Sequence, residues 1–211
     1  MDASFVRDWV REIASAVEAQ RDYLTQLDAA IGDADHGTNM QRGFSAVVEK
    51  VATADDLPPG RVLTTVGMTL ISTVGGASGP LYGTAFRGAG KALGEAEAFE
   101  PKDLVHALRA ALEAIQGLGA AAEGDKTMVD AFAPAVQALD RSVAAGETLA
   151  EATSRAREAA EGGMRATVPM QARKGRASYL GPRSVGHQDP GATSTALVFS
   201  ALERVAARVE P

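Results

Sequence analysis

Three aspartates, Asp28, Asp33 and Asp35, fall within eight residues of the run Asp28-Ala29-Ala30-Ile31-Gly32-Asp33-Ala34-Asp35-His36-Gly37-Thr38-Asn39. Carboxylates this close repel unless a cation sits between them. Hard divalent ions such as Mg2+ take oxygen ligands, often one or two carboxylates together with the phosphates of a substrate. The run therefore reads as a metal–phosphate site with Asp28, Asp33 and Asp35 as ligands. A single aspartate here would more often be a helix cap; three beside a glycine turn favour the metal. An EF-hand loop is excluded, because counting from Asp33 the fifth position is already Gly37. His36, Gly37, Thr38 and Asn39 lead into a helix, whose first turn offers free N–H groups and a positive dipole end to a phosphate.

Three further segments could complete such a site. Gly75-Gly76-Ala77-Ser78-Gly79 reads either as a phosphate cradle or as a plain helix connector. It is not a Walker loop, since no Lys-Ser/Thr pair follows at the required spacing. In Gly124-Asp125-Lys126-Thr127-Met128, Thr127 and Met128 could meet a base, although the residues alone favour a cap at Asp125 and a core methionine. Arg173-Lys174-Gly175-Arg176, followed by Asp189-Pro190-Gly191, concentrates positive charge in an acidic chain. That stretch reads as a solvated charge run or as a loop that closes over a ligand.

Composition narrows the chemistry. The 211 residues include no cysteine, which removes disulfides, thiolate metal sites and a cysteine nucleophile. The net charge of −6 argues against nucleic acid as a partner. No apolar run reaches the length of a membrane span, and the first residues lack the basic and apolar regions of a secretion signal. A cytoplasmic protein without membrane contact is expected. The length suits a single domain over residues 1–211.

The positioning elements read as helices. Hydrophobic residues make up 45% but aromatics only 5%, and alanine dominates the apolar set. That pattern favours closely packed helices. Val6, Trp9, Val10, Ile13, Val17, Leu24 and Leu27 mark a first helix, capped by Ser4 and closed at Gly32. A second starts around Asn39, and Asp55 to Gly60 forms a loop. Further helices are expected at Val62–Val74, Pro80–Leu93, Pro101 to Gly117 or Gly119, and Thr127–Val143, the last bent or broken at Pro134. Another follows Thr148 and can extend past Gly162-Gly163, where it should be weakest. Arg173 to Gly186 lacks periodicity and reads as a long loop. Asp189 as cap and Pro190 in the first turn open the last helix. The sum is about eight helices and no strand.

Taken in order, Asp28 through Asn39, Gly75 through Gly83, Gly124 through Met128, Arg176 through Gly181 and Asp189 through Ala192 resemble the nucleotide-binding L subunit of dihydroxyacetone kinase, across almost the whole chain. The resemblance implies an all-α barrel of eight antiparallel helices with ADP or ATP bound at one end. It implies that Asp28, Asp33 and Asp35 hold two Mg2+ ions. His36, Gly37, Thr38, Asn39, Ala77 and Ser78 would contact phosphates, and Gly119, Thr127 and Met128 would line the nucleoside. Arg176 with Asp189, Pro190 and Gly191 would close the site. The implied function is that of an ADP/Mg subunit relaying a phosphoryl group. The donor would be a phosphohistidine of an M subunit, supplied by phosphoenolpyruvate, and the acceptor dihydroxyacetone held by a K subunit. No residue of this chain is expected to be phosphorylated. Some members also contact a transcription regulator. The alternatives are an ATP-dependent ketose kinase subunit, a metal-dependent nucleotide phosphohydrolase and a non-catalytic nucleotide-binding module.

Overall fold

The computed structural model describes residues 1–53 and 56–209. Among these, nine α-helices and one 3-10 segment follow in order: α1 (Ala3–Ala19), α2 (Arg21–Ile31), α3 (His36–Val51), α4 (Pro59–Thr73), α5 (Ser78–Leu93), α6 (Pro101–Gly119), α7 (Val129–Ala144), α8 (Leu149–Ala166), the 3-10 segment (Arg176–Ser184) and α9 (Pro190–Ala206). The only extended pairing among the described residues is an isolated bridge between Asp2 and Ala98. The chain is thus all-helical, as its alanine-rich periodicity implies.

Helices α3 to α9 each pack against the next, and α1 packs against both α9 and α3, which closes the ring. The starts of α3, α5, α7 and α9 and the ends of α2 and α6 line one cavity, so successive helices alternate in direction. The interior is one apolar cluster drawn from α1 and α3 to α9. Phe86 meets Trp9 at a tilt and Phe44 edge-on within it, and Phe132 meets Phe199 edge-on. The Trp9 indole N–H donates to the carbonyl of Val198, tying α1 to α9 at 3.0 Å.

The structure corrects several expected boundaries. The first helix is two helices, interrupted at Gln20 where φ is −108°. No glycine or proline marks this break. Its effect is to turn α2 so that Leu24, Asp28 and Ile31 face inward. Asp2, not Ser4, caps α1, accepting from the backbone N–H groups of Ser4 and Phe5. The Ser4 hydroxyl donates to that same carboxylate. The second helix begins at His36 rather than Asn39. Of the loop expected from Asp55 to Gly60, Asp55 lies outside the described residues, while Pro59 and Gly60 already belong to α4. Helix α7 runs through Pro134 without a break. Proline has no N–H to give to the carbonyl of Asp130, one turn earlier. Gly163 of α8 passes over that carbonyl, so closely that a Cβ there would sit 1.9 Å from its oxygen. Gly163 thus serves a helix crossing, and α8 runs past Gly162-Gly163 to Ala166.

Candidate functional site

The aspartate turn is built by contacts between near neighbours in the chain. One carboxylate oxygen of Asp28, near the end of α2, accepts from the backbone N–H groups of Asp35 at 2.9 Å and His36 at 3.2 Å. Those bonds fold the four-residue connection back over α2, with Ala34 at φ 62°. As a result one carboxylate oxygen from each of Asp28, Asp33 and Asp35 lies within 4.8 Å of the other two. Asp28 is buried, Asp35 half-buried and Asp33 exposed. The Arg176 guanidinium reaches Asp33 at 3.0 Å. A trio of hard oxygen donors against a single cation is a donor set suited to Mg2+.

The trio borders a cavity of about 290 Å3. Ala77 and Ser78 at the start of α5, Thr127 and Met128 before α7, and Asp189, Pro190 and Gly191 at the start of α9 face it, as do His36, Gly119 and Arg176. The polar aspartate end thus faces a wall carrying Leu81, Ile115 and Met128. Three of the expected contacts do not line it. Gly37 faces α2, where a Cβ would sit 2.0 Å from the carbonyl oxygen of Arg21. Its lack of a side chain serves the crossing of two helices. Thr38 is exposed to solvent. The Asn39 side chain accepts from Arg42 at 2.7 Å and lies beside Gly75.

His36 is a brace. It is buried, with Nδ1 3.1 Å from the Ser78 hydroxyl and Nε2 2.9 Å from the Ser194 hydroxyl. One ring thereby links the N-terminal ends of α3, α5 and α9. Burial lowers its pKa, opposed by the carboxylates of Asp28 and Asp35. The chain of hydroxyls continues to Tyr82, whose oxygen lies 2.7 Å from Ser194 and 2.9 Å from Thr195. Burial pushes the Tyr82 phenol up to about 12. Sequence reasoning missed both Tyr82 and Ser194. Tyr82 sits inside the Gly75–Gly83 motif, so an aromatic amid glycines was a signal; Ser194 carries none.

Asp189 caps α9 as expected, accepting from Ala192 N–H at 2.7 Å. Burial raises its carboxyl to about 7, with Asp130 adding to the rise and Lys126 opposing it. The segment before it is more ordered than a long loop. It holds the 3-10 segment, kinked at Gly181 with φ 54°. Ala172 and Ala177, with Leu180, pack on Ile31 of α2. This small apolar contact brings Arg176 to the aspartates.

The pattern of the DAK2 domain matches residues 30–204. The PEP-dependent dihydroxyacetone kinase ADP-binding subunit DhaL of Escherichia coli (strain K12) is 45% identical over 92% of this chain and 93% of its own length. The corresponding subunit of kinase 1 from Listeria innocua is 40% identical over 95% and 96%. Among solved structures, the dihydroxyacetone kinase from C. freundii in complex with AMP-PNP and Mg2+ superposes with a TM-score of 0.73 at 28% identity. That match covers 95% of this chain but 34% of the solved one, so the chain spans about a third of that kinase. With a domain match over residues 30–204 and 45% identity over 92% of the chain to a subunit of that family, the chain belongs to the DAK2-domain family.

Proposed function

We propose that this chain is the ADP- and Mg2+-binding subunit of a dihydroxyacetone kinase, a phosphotransferase. In this reading it relays a phosphoryl group from a phosphohistidine of an M subunit to dihydroxyacetone on a K subunit, with phosphoenolpyruvate as the ultimate source. The observation that carries the reading is the convergence of Asp28, Asp33 and Asp35 at the mouth of a cavity with an apolar wall. The 45% identity to an ADP-binding subunit supports it. Residues 1–211 act as one nucleotide-binding domain in the cytoplasm, and no helix of the described residues is long and apolar enough to cross a membrane.

Asp28, Asp33 and Asp35 would hold two Mg2+, which supply charge neutralisation to the phosphate oxygens. The remaining roles fall to the chain. The backbone N–H groups of Ser78 and Gly79, in the first turn of α5, have no partner within the helix and would meet the phosphates. His36 keeps the Ser78 hydroxyl in place from one side and α9 from the other. Arg176, 66% exposed at its side chain, can turn from Asp33 to a phosphate oxygen. Leu81, Ile115, Gly119, Thr127 and Met128 would border the nucleoside. Phosphoryl transfer needs positioning and charge stabilisation more than covalent help. Partner subunits, and a transcription regulator where one is used, would approach the open end that carries Arg176.

The likeness to a kinase solved with AMP-PNP and Mg2+ favours a second reading, in which ATP is a consumed substrate. One experiment separates the two. Protein purified without added nucleotide is denatured and its extract resolved by ion exchange. The relay predicts ADP at close to one per chain, phosphorylated on adding a phosphohistidine M subunit. An empty protein that turns over ATP with a K subunit alone would establish the second reading instead.

A further inference from the structure

A lysine in Gly124-Asp125-Lys126-Thr127-Met128, beside a nucleotide cavity, would be read first as a phosphate ligand. Its surroundings say otherwise. Lys126 is 1% exposed. Its ammonium donates to four backbone carbonyls: Thr167 at 2.9 Å, Met170 at 3.1 Å, Ser184 at 2.7 Å and His187 at 2.5 Å. An ammonium has three protons, so its donors are spent on the protein itself. The backbone of Lys126 is held at φ 63°, a conformation that L residues rarely adopt.

The four carbonyls have a telling arrangement. Thr167 and Met170 stand where the chain leaves α8, and Ser184 and His187 stand where it approaches α9. One cation therefore joins the entry and the exit of the intervening segment. The same junction is sewn by Gly186 N–H on the Val168 carbonyl, Asp189 N–H on the Thr167 hydroxyl, and Ala172 N–H on the Ser184 hydroxyl. Without the ammonium, four carbonyl dipoles, those of Thr167 and Ser184 buried and those of Met170 and His187 partly so, would converge on one point. Arg176, carried by this segment, pairs with Asp33.

We propose that Lys126 is a positioning residue, whose buried ammonium clamps both ends of the 167–187 segment and so holds Arg176 over the aspartate trio without itself touching the nucleotide. The consequence for transfer rests on the function proposed above; the clamp does not.

The test uses the full chain with Lys126→Gly, which suits the positive φ and leaves the carbonyl cage vacant, and Lys126→Met, which fills it without charge. Trypsin can cut after Arg173, Lys174, Arg176 and Arg183. The expected result is nicking in this segment at least tenfold faster in both variants than in the wild type. Ammonium chloride should slow it in Lys126→Gly relative to choline chloride at equal ionic strength, and leave the wild type unchanged. In transfer assays with partner subunits, Lys126→Gly should lose about as much as Arg176→Ala, and the double variant no more than either. Unchanged nicking, nicking that merely tracks global unfolding in urea, failure of both variants to fold, or fully additive losses would each overturn the proposal. If the wild type bound no nucleotide, the transfer arm would fall with the functional reading, while the nicking arm would still decide the clamp.

Discussion

The two walls of the site are held in opposite ways. The aspartate turn is fixed by partners seven and eight residues apart, Asp28 with Asp35 and Asp28 with His36. The wall that carries Arg176 is fixed by partners 41, 44, 58 and 61 residues apart, through Lys126. A turn closed by its own neighbours forms wherever its two flanking helices form. A segment closed from afar is in place only when α7, α8 and α9 are all packed. Metal binding and lid placement should thus be separable properties of one cavity.

The sharpest break of that separation is Asp33→Asn. It removes an anionic oxygen from the trio, and the Mg2+-dependent affinity for ADP should fall about tenfold or more. Thermal stability should stay within about 2 °C, because Asp33 is exposed and its pair with Arg176 is a surface one. Titration calorimetry with parallel melting curves reads both. Unchanged affinity would remove Asp33 from the ligand set.

Arg176→Ala probes the other wall. Phosphoryl transfer with partner subunits should drop roughly tenfold while ADP affinity changes less, since the guanidinium serves the transferring charge. Stability should move by under about 0.5 kcal/mol. Equal losses in melting temperature and in transfer would mean that the arginine holds the wall rather than acting on phosphate.

A smaller effect sits where the two walls meet. The Asp189 carboxyl is raised by burial to about 7, from an ordinary value of about 3.9 when unfolded. A raised carboxyl contributes stability in its neutral form. That contribution is complete below pH 4 and is lost as pH climbs through 7. Asparagine keeps the cap on Ala192 N–H and cannot titrate. In nucleotide-free protein, the melting temperature of Asp189→Asn should therefore gain on the wild type by several degrees between pH 5 and 8. The depressed pKa of His36 acts in the opposite sense in both proteins and cancels in the difference. Parallel pH profiles would show that Asp189 is ionised throughout, held so by Lys126.

The same contrast explains what could be read in the residue order. The aspartate trio, the cap at Asp189 with Pro190 behind it, and most helix starts depend on neighbours within one turn, so spacing exposes them. The break at Gln20 leaves no local mark, because it follows from how α2 must turn to bury Leu24 and Ile31. Ser4 and Asp2 both fit a cap, and only the folded geometry decides between them. Gly37 looked like an anion contact because glycine before a helix reads that way, yet it is small for the sake of Arg21. Links such as His36 to Ser194, 158 residues apart, and Lys126 to four distant carbonyls are set by packing and have no signature in spacing. The long stretch from Arg173 to Gly186 looked irregular for the same reason: what orders it lies elsewhere in the chain.

Calorimetric titration of nucleotide-stripped protein with ADP, in Mg2+ and again in chelator, bears most directly on the aspartate trio. Tight binding near one ADP per chain in Mg2+, lost in chelator and weakened in Asp33→Asn, is the predicted result. Equal binding with and without the metal, or none in either, would contradict it.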